Sequence, residues 1–166
     1  MLKYVDYSVV FQEVPGEVSL AFTISNCQGN CAGCHSPHLR QDIGQDLERD
    51  LPGLLDKYDG MITCVLFLGE GNDPDALWNC IEMAHQRYKT ALYSGKETVI
   101  EALRGGLTVR YLDYLKVGSY KEECGPISSR ATNQRFYSMK VIGDQLITRD
   151  DTHLFWRKAY EDSSES

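Results

Sequence analysis

The sequence predicts a single α/β domain over residues 1–166, an incomplete (open) βα barrel with a mostly parallel sheet. Three observations lead there. Strand, loop and helix signals alternate along the chain, the pattern of parallel strands joined by helical crossovers. Met61 to Leu68 is a nearly unbroken apolar run, as in a strand buried on both faces. The 166 residues also fall well short of the about 250 that a closed eight-stranded barrel takes.

The elements follow in order. Lys3 to Phe11 reads as a strand with Val5, Tyr7, Val9 and Phe11 on one face. Val14-Pro15-Gly16-Glu17 is a turn, and Val18 to Ser25 alternates again, with Val18, Leu20, Phe22 and Ile24 on one side. A polar Gly- and Cys-rich segment runs from Asn26 to His38. Leu47, Leu51, Leu54 and Leu55 then fit a helical face capped by Asp46, with Pro52 predicting a kink or a later start. After the Met61 to Leu68 strand, Asn72 or Asp73 caps a helix with Pro74 in its first turn. That helix carries Leu77, Cys80, Ile81 and Ala84 on one side. Thr90 to Tyr93 is a short strand, Glu97 to Leu103 a helix, and Tyr111 to Val117 a strand. Gly118 to Gln134 is polar and irregular. Tyr137 to Ile142 and Gln145 to Thr148 flank Gly143-Asp144, a two-residue hairpin signal, and a short disordered tail begins near Glu161. In a parallel α/β sheet, ligands gather beyond the carboxyl ends of the strands, so the loops after Ser25, Leu68, Tyr93 and Val117 should form one site.

Charge and composition narrow the functions. With 17 basic and 24 acidic residues the net charge is −7, which argues against non-specific nucleic-acid binding. No apolar run reaches the roughly 20 residues of a membrane-spanning helix, and the N-terminus lacks the apolar stretch of a signal peptide. The expected compartment is the cytosol, where six cysteines read as metal or redox chemistry before disulfides. Neither a P-loop nor a Ser/His/Asp constellation is present, and acidic pairs such as Asp150-Asp151 read as solvent-facing turn residues.

Cys27, Cys31 and Cys34 lie within eight residues directly after a predicted strand, with Gly29 and Gly33 easing a tight wrap of the backbone. Thiolates are soft ligands that favour iron–sulfur clusters or zinc. A [4Fe-4S] cluster held by three cysteines leaves one iron open to a ligand. Zinc is the other reading, with His35 or His38 completing a tetrahedron. Cys64 and Cys80 read as core residues, while Cys124 lies in a polar loop and is a ligand, a redox thiol or neither.

This C-x3-C-x2-C motif in an α/β chain resembles that of the radical S-adenosylmethionine enzymes. In more detail the chain resembles the activating enzymes of anaerobic (class III) ribonucleotide reductases. The resemblance runs through Ile24-Ser25-Asn26-Cys27, Cys31-Ala32-Gly33-Cys34-His35-Ser36 and Leu92-Tyr93-Ser94-Gly95, then Asp113 to Gly118 and Ala131-Thr132-Asn133-Gln134-Arg135. Gly33 stands where many members of the superfamily have an aromatic residue, and the usual Gly-Gly-Glu-Pro loop is here Leu68-Gly69-Glu70-Gly71.

The resemblance implies a [4Fe-4S] cluster on Cys27, Cys31 and Cys34, with S-adenosylmethionine chelating the open iron. It implies contacts to that cofactor from Asn26, His35, Gly69, Glu70, Tyr93, Ser94 and Asn133. An electron from the cluster would cleave the sulfonium, and the resulting 5′-deoxyadenosyl radical would take a hydrogen from a backbone glycine of the reductase. The implied partners are anaerobic ribonucleotide reductase and an electron donor. The loop from Ser119 to Arg135, with Lys121, Arg130 and Arg135, is the expected docking rim. A radical enzyme acting on a small molecule and a non-catalytic metal-binding module are the alternatives.

Overall fold

A computed structural model of the protein describes residues 1–25, 41–103 and 109–156. Its centre is one eight-stranded mixed sheet. The strands are β1 (Lys3–Phe11), β2 (Val18–Ile24), β3 (Gln45–Asp46), β4 (Cys64–Leu68), β5 (Lys89–Tyr93), β6 (Tyr114–Val117), β7 (Arg135–Ile142) and β8 (Gln145–Asp150), in the order β3-β1-β2-β4-β5-β6-β7-β8. The helices are α1 (Leu47–Lys57), α2 (Pro74–His85) and the short α3 (Val99–Ala102).

The expected mostly parallel sheet of an open βα barrel is not what forms. Four of the seven pairings are antiparallel, β1 with β2 and β3, β6 with β7, and β7 with β8. Only β2, β4, β5 and β6 run parallel. The connections explain the difference. The turns at Val14–Glu17 and Gly143–Asp144 are too short for a crossover, so each reverses the chain. Residues 118–134 link β6 to β7 through turns without a helix and return the strand antiparallel. Helical crossovers separate only the inner strands.

The helices lie against one face of the sheet. There Leu20, Phe22 and Ile24 of β2, Val65 and Phe67 of β4, Leu92, Leu115 and Val117 meet Leu47, Leu51 and Leu55 of α1 and Leu77, Cys80, Ile81 and Ala84 of α2. Asp46 caps α1, accepting from the Arg49 N–H at 3.5 Å, and Pro52 sits inside the helix rather than at its start. Asp73 caps α2, with Pro74 in its first turn. The other face packs Val14, Ala21, Leu66, Ala91, Tyr93 and Phe136. An irregularity between Tyr4 and Asp6 shifts the register of β1, so Tyr4 joins Tyr7 and Val9 against the helix-side core. Simple alternation put Val5 and Phe11 there instead, and Phe11 is exposed.

At the amino ends of the parallel strands, the buried Glu17 carboxylate accepts from Thr63 Oγ1 at 2.7 Å, Lys89 Nζ at 3.0 Å and the Tyr114 hydroxyl at 3.1 Å. This knot ties β4, β5 and β6 to the β1–β2 turn. Among the described residues no helix is long and apolar enough to cross a membrane.

Candidate functional site

Because β2, β4, β5 and β6 are parallel, Ile24, Leu68, Tyr93 and Val117 end on one edge of the sheet. The loops after Leu68, Tyr93 and Val117 meet there around a cavity of about 250 Å³, whose lining includes Gly69, Tyr93, Ser94, Lys116, Gly118 and Gln134. The fourth loop leaves the same edge at Ser25. The Ser25 N–H donates to the Lys3 carbonyl at 3.0 Å, and its hydroxyl donates to the Ile43 carbonyl. The chain is thereby clasped where it leaves the edge and where it returns. Asn26, Cys27, Cys31, Cys34 and His35 lie between these points, outside the described residues.

Gly69 and Ser94 are held by backbone bonds. Gly69 N–H donates to the Tyr93 carbonyl at 2.9 Å, and Ser94 N–H to the Lys116 carbonyl at 2.8 Å. Gly69 has φ +107°, a conformation that L side chains rarely adopt, and a Cβ there would sit 3.6 Å from Ile24 Cβ. Conformation rather than crowding inside the protein therefore fixes glycine at this position. Glu70 turns the other way and lines an adjoining cavity of about 320 Å³ with Trp78, Lys96 and Glu101. Burial raises its carboxyl above the ordinary range, against the pull of Ser94 and Lys96. The predicted pair Gly69 and Glu70 thus faces two neighbouring cavities.

Tyr93 is buried. Its hydroxyl donates to the Glu13 carbonyl, its ring meets Phe136 edge-on at 6.3 Å, and desolvation raises its phenol far above the usual value. Its ring, rather than its hydroxyl, is the part available to the cavity. Lys116 Nζ stands 4.3 Å from that ring's centroid. Lys116 is half-buried, and desolvation pushes its ammonium from 10.5 down to about 8, with only Glu13 acting in the opposite direction. No carboxylate is among the lining residues of this cavity.

Asn133 and Gln134 grip the next loop. Asn133 Nδ2 donates to the Ser119 carbonyl at 2.9 Å, and Gln134 Nε2 to the Gly118 carbonyl at 3.2 Å. Gly118 has φ +100°, and a Cβ there would fall 3.0 Å from Gln134 Cα and 3.1 Å from the Asn133 carbonyl oxygen. Asn133 Oδ1 is buried without a hydrogen-bond partner among the described residues. Farther along, the loop is anchored by Trp156, whose indole N–H donates to the Ile127 carbonyl at 3.1 Å, while Arg130 lies 5.9 Å from the Trp156 ring.

Sequence reasoning missed Lys116 and Gln134 as lining residues. Their signal was present but easy to discount, because alternation along Tyr114–Val117 puts Lys116 opposite Leu115 and Val117, where a lysine ordinarily meets solvent. Cys64 and Cys80 are fully buried core residues, and Cys124 is a free, half-buried thiol. Among the described residues no group of three or more His, Cys, Asp or Glu is arranged to hold a metal ion. His85 Nδ1 and Asp113 Oδ2 approach to 3.3 Å, but Asp113 also accepts from the Thr90 backbone at 2.9 Å and sits at the amino end of β6, away from the rim.

The rim thus offers one desolvated cation, backbone edges and an aromatic face. That set suits a small polar ligand bearing a carboxylate, the character of an amino-acid group. No protein-family model, curated protein or solved structure matches the chain.

Proposed function

We propose that the protein is a cytosolic radical S-adenosylmethionine enzyme that generates a glycyl radical on an anaerobic ribonucleotide reductase. One observation carries the reading. The C-x3-C-x2-C run begins two residues after Ser25 in the sequence, and Ser25 itself stands at the edge of the parallel strands that also bears the Lys116 cavity.

Cys27, Cys31 and Cys34 would hold the [4Fe-4S] cluster. When bound, the cluster and cofactor supply the electron and the carbon radical that remove a hydrogen from the partner's glycine. The chain's own residues bind and orient. Lys116 supplies positive charge for the cofactor carboxylate, in a setting where desolvation strengthens the attraction. The Gly69 loop and Ser94 shape the wall, and the Tyr93 ring closes its floor. Asn133 holds the rim loop through its Nδ2 bond to the Ser119 carbonyl. Asn26, His35 and Glu70 complete the expected contact set. An electron donor is also required.

The test is anaerobic reconstitution with iron and sulfide, followed by S-adenosylmethionine and the purified reductase. Four irons per chain, cofactor cleavage and a doublet radical signal on the reductase are expected. The signal should vanish when the acceptor glycine is changed to Ala. Bound zinc without cofactor cleavage would overturn the reading in favour of a metal-binding module. Cleavage that requires a metabolite and leaves the reductase unmodified would point to a small-molecule enzyme.

A further inference from the structure

The face of the sheet opposite the helices is crossed by the turn between β1 and β2. Val14 in that turn is fully buried in the cluster of Ala21, Leu66, Ala91, Tyr93 and Phe136. Two tyrosines of neighbouring parallel strands fasten it. The Tyr114 hydroxyl of β6 donates to the Glu17 carboxylate at 3.1 Å, and the Tyr93 hydroxyl of β5 donates to the Glu13 carbonyl. The turn is also tied within itself. Glu17 N–H donates to the Val14 carbonyl at 3.0 Å, and Gly16 N–H to Gln12 Oε1 at 3.0 Å. Gln12 has φ +69°, the one positive φ of a non-glycine residue among the described residues. Such a conformation persists only where its surroundings fix it. The turn is therefore a strap with two fastenings.

The fastenings have different neighbours. Tyr114 and Glu17 belong to the knot at the amino ends of the parallel strands. Tyr93 stands at the carboxyl ends, where Lys116 Nζ lies 4.3 Å from its ring centroid. Register places Lys116 beside Tyr93 of β5 and Phe136 of β7, so neither flanking strand sets a charge next to it. Glu13, adjacent to Val14 on the strap, is the carboxylate that acts on the ammonium, and it favours the charged form. Besides Tyr93 and Lys116, the Tyr120 phenol is the ionisable group of the cavity lining among the described residues. Desolvation outweighs Glu13, so whatever keeps water away governs the charge of Lys116. The hydroxyl that fastens the strap and the ring that touches the ammonium belong to one side chain.

We propose that Tyr93 is a positioning residue for Lys116: its hydroxyl fastens the strap over the inner face, and the fastened strap keeps water from the ammonium. The consequence for S-adenosylmethionine rests on the proposed function; the latch itself does not.

The experiment compares the reconstituted protein with two variants. Tyr93→Phe keeps the ring and loses only the hydroxyl, while Tyr114→Phe loosens the other fastening. Each protein, carrying carbon-13-labelled lysine, is titrated by NMR, with the Lys116 signal assigned from its absence in Lys116→Met. The Lys116 midpoint should rise by about one pH unit in Tyr93→Phe, because admitted water favours the charged form, and should stay in place in Tyr114→Phe. The Kd for S-adenosylmethionine gives a second readout. The ratio of the Tyr93→Phe value to that of the unmodified protein, in which the ligand's own titration cancels, should fall about fivefold between pH 7 and pH 9 for a midpoint one unit higher. A merely structural loss would change that ratio equally at every pH. An unmoved Lys116 midpoint in Tyr93→Phe overturns the inference, and so does an equal rise in Tyr114→Phe. A raised midpoint in Tyr93→Phe alone, with a pH-independent ratio or no cofactor binding at all, upholds the latch and is instead a failure of the functional reading.

Discussion

Lys116→Met should make the protein more stable and, on the proposed function, less able to bind S-adenosylmethionine. The unfolded lysine titrates at 10.5 and the folded one at about 8, so below pH 8 the folded state carries a charge it solvates poorly. The difference corresponds to roughly 3 kcal/mol at full weight, and residual exposure trims this to about 2 kcal/mol. The sign follows from proton binding. Between pH 8 and 10.5 the unfolded chain holds the proton more tightly, so stability of the unmodified protein rises with pH across that window. The variant lacks this rise, and its advantage is greatest below pH 8. A carboxylate seated on the ammonium would offset the same cost, and charge-assisted hydrogen bonds contribute about 1.5–3 kcal/mol. The Kd for S-adenosylmethionine should therefore increase roughly 10- to 100-fold in Lys116→Met. Urea unfolding at pH 7 and pH 10, with anaerobic equilibrium dialysis at pH 7, measures both effects. A variant that is less stable at pH 7, or one that binds the cofactor unchanged, refutes the assignment of Lys116 to an anion.

Other outcomes follow from the same geometry. Ala at Cys27, Cys31 or Cys34 should abolish cluster retention, read as iron content, whereas Cys64→Ala and Cys80→Ala should keep four irons and lose about 1 kcal/mol of stability from lost packing. Gly118→Ala should destabilise by about 1–3 kcal/mol in urea, because φ +100° and the Asn133–Gln134 backbone leave no room for a Cβ. Glu17→Gln should lower stability by about 2–3 kcal/mol at pH 7. Hydrogen bonds from Thr63, Lys89 and Tyr114 outweigh burial and hold the Glu17 carboxyl below its ordinary 4.5. The stability it contributes is thus present above pH 4.5 and lost as pH falls through the lowered value. Acid unfolding of the Glu17→Gln variant should lack that component.

Much of the local structure was legible because each signal acts over a few residues. Asp46, Asp73 and Pro74 announced two helix starts, and Gly143-Asp144 announced the last hairpin. Long-range arrangement was less accessible. Alternating helices and strands suggested parallel order throughout, but the linker from Gly118 to Gln134 does not reveal by composition whether it crosses the sheet or turns back beside β6. The bulge near Val5 changed the facing of that strand's first residues for the same reason, since a register shift depends on the partner strand rather than on the sequence around it. At the rim, the glycines were readable as loops, but Lys116 was not readable as part of a cavity. Its surroundings come from β5 and from the return of Gln134, both distant in sequence.

The clasp between Ser25 and Ile43 has a consequence for how the cysteine segment tolerates change. Closing a flexible chain costs entropy that grows only logarithmically with its length, about 0.6 kcal/mol for each doubling. Here the sheet and α1 hold both ends, so closure is accomplished when the domain folds and not when a ligand arrives. On the proposed function, the intervals between Cys27, Cys31 and Cys34 are set by the cluster they would hold, whereas the number of residues that joins them to Ile43 is not. Inserting several residues between His38 and Gln41 should leave unfolding midpoints nearly unchanged, while a single residue added between Cys31 and Cys34 should be decisive for the metal and silent for the fold.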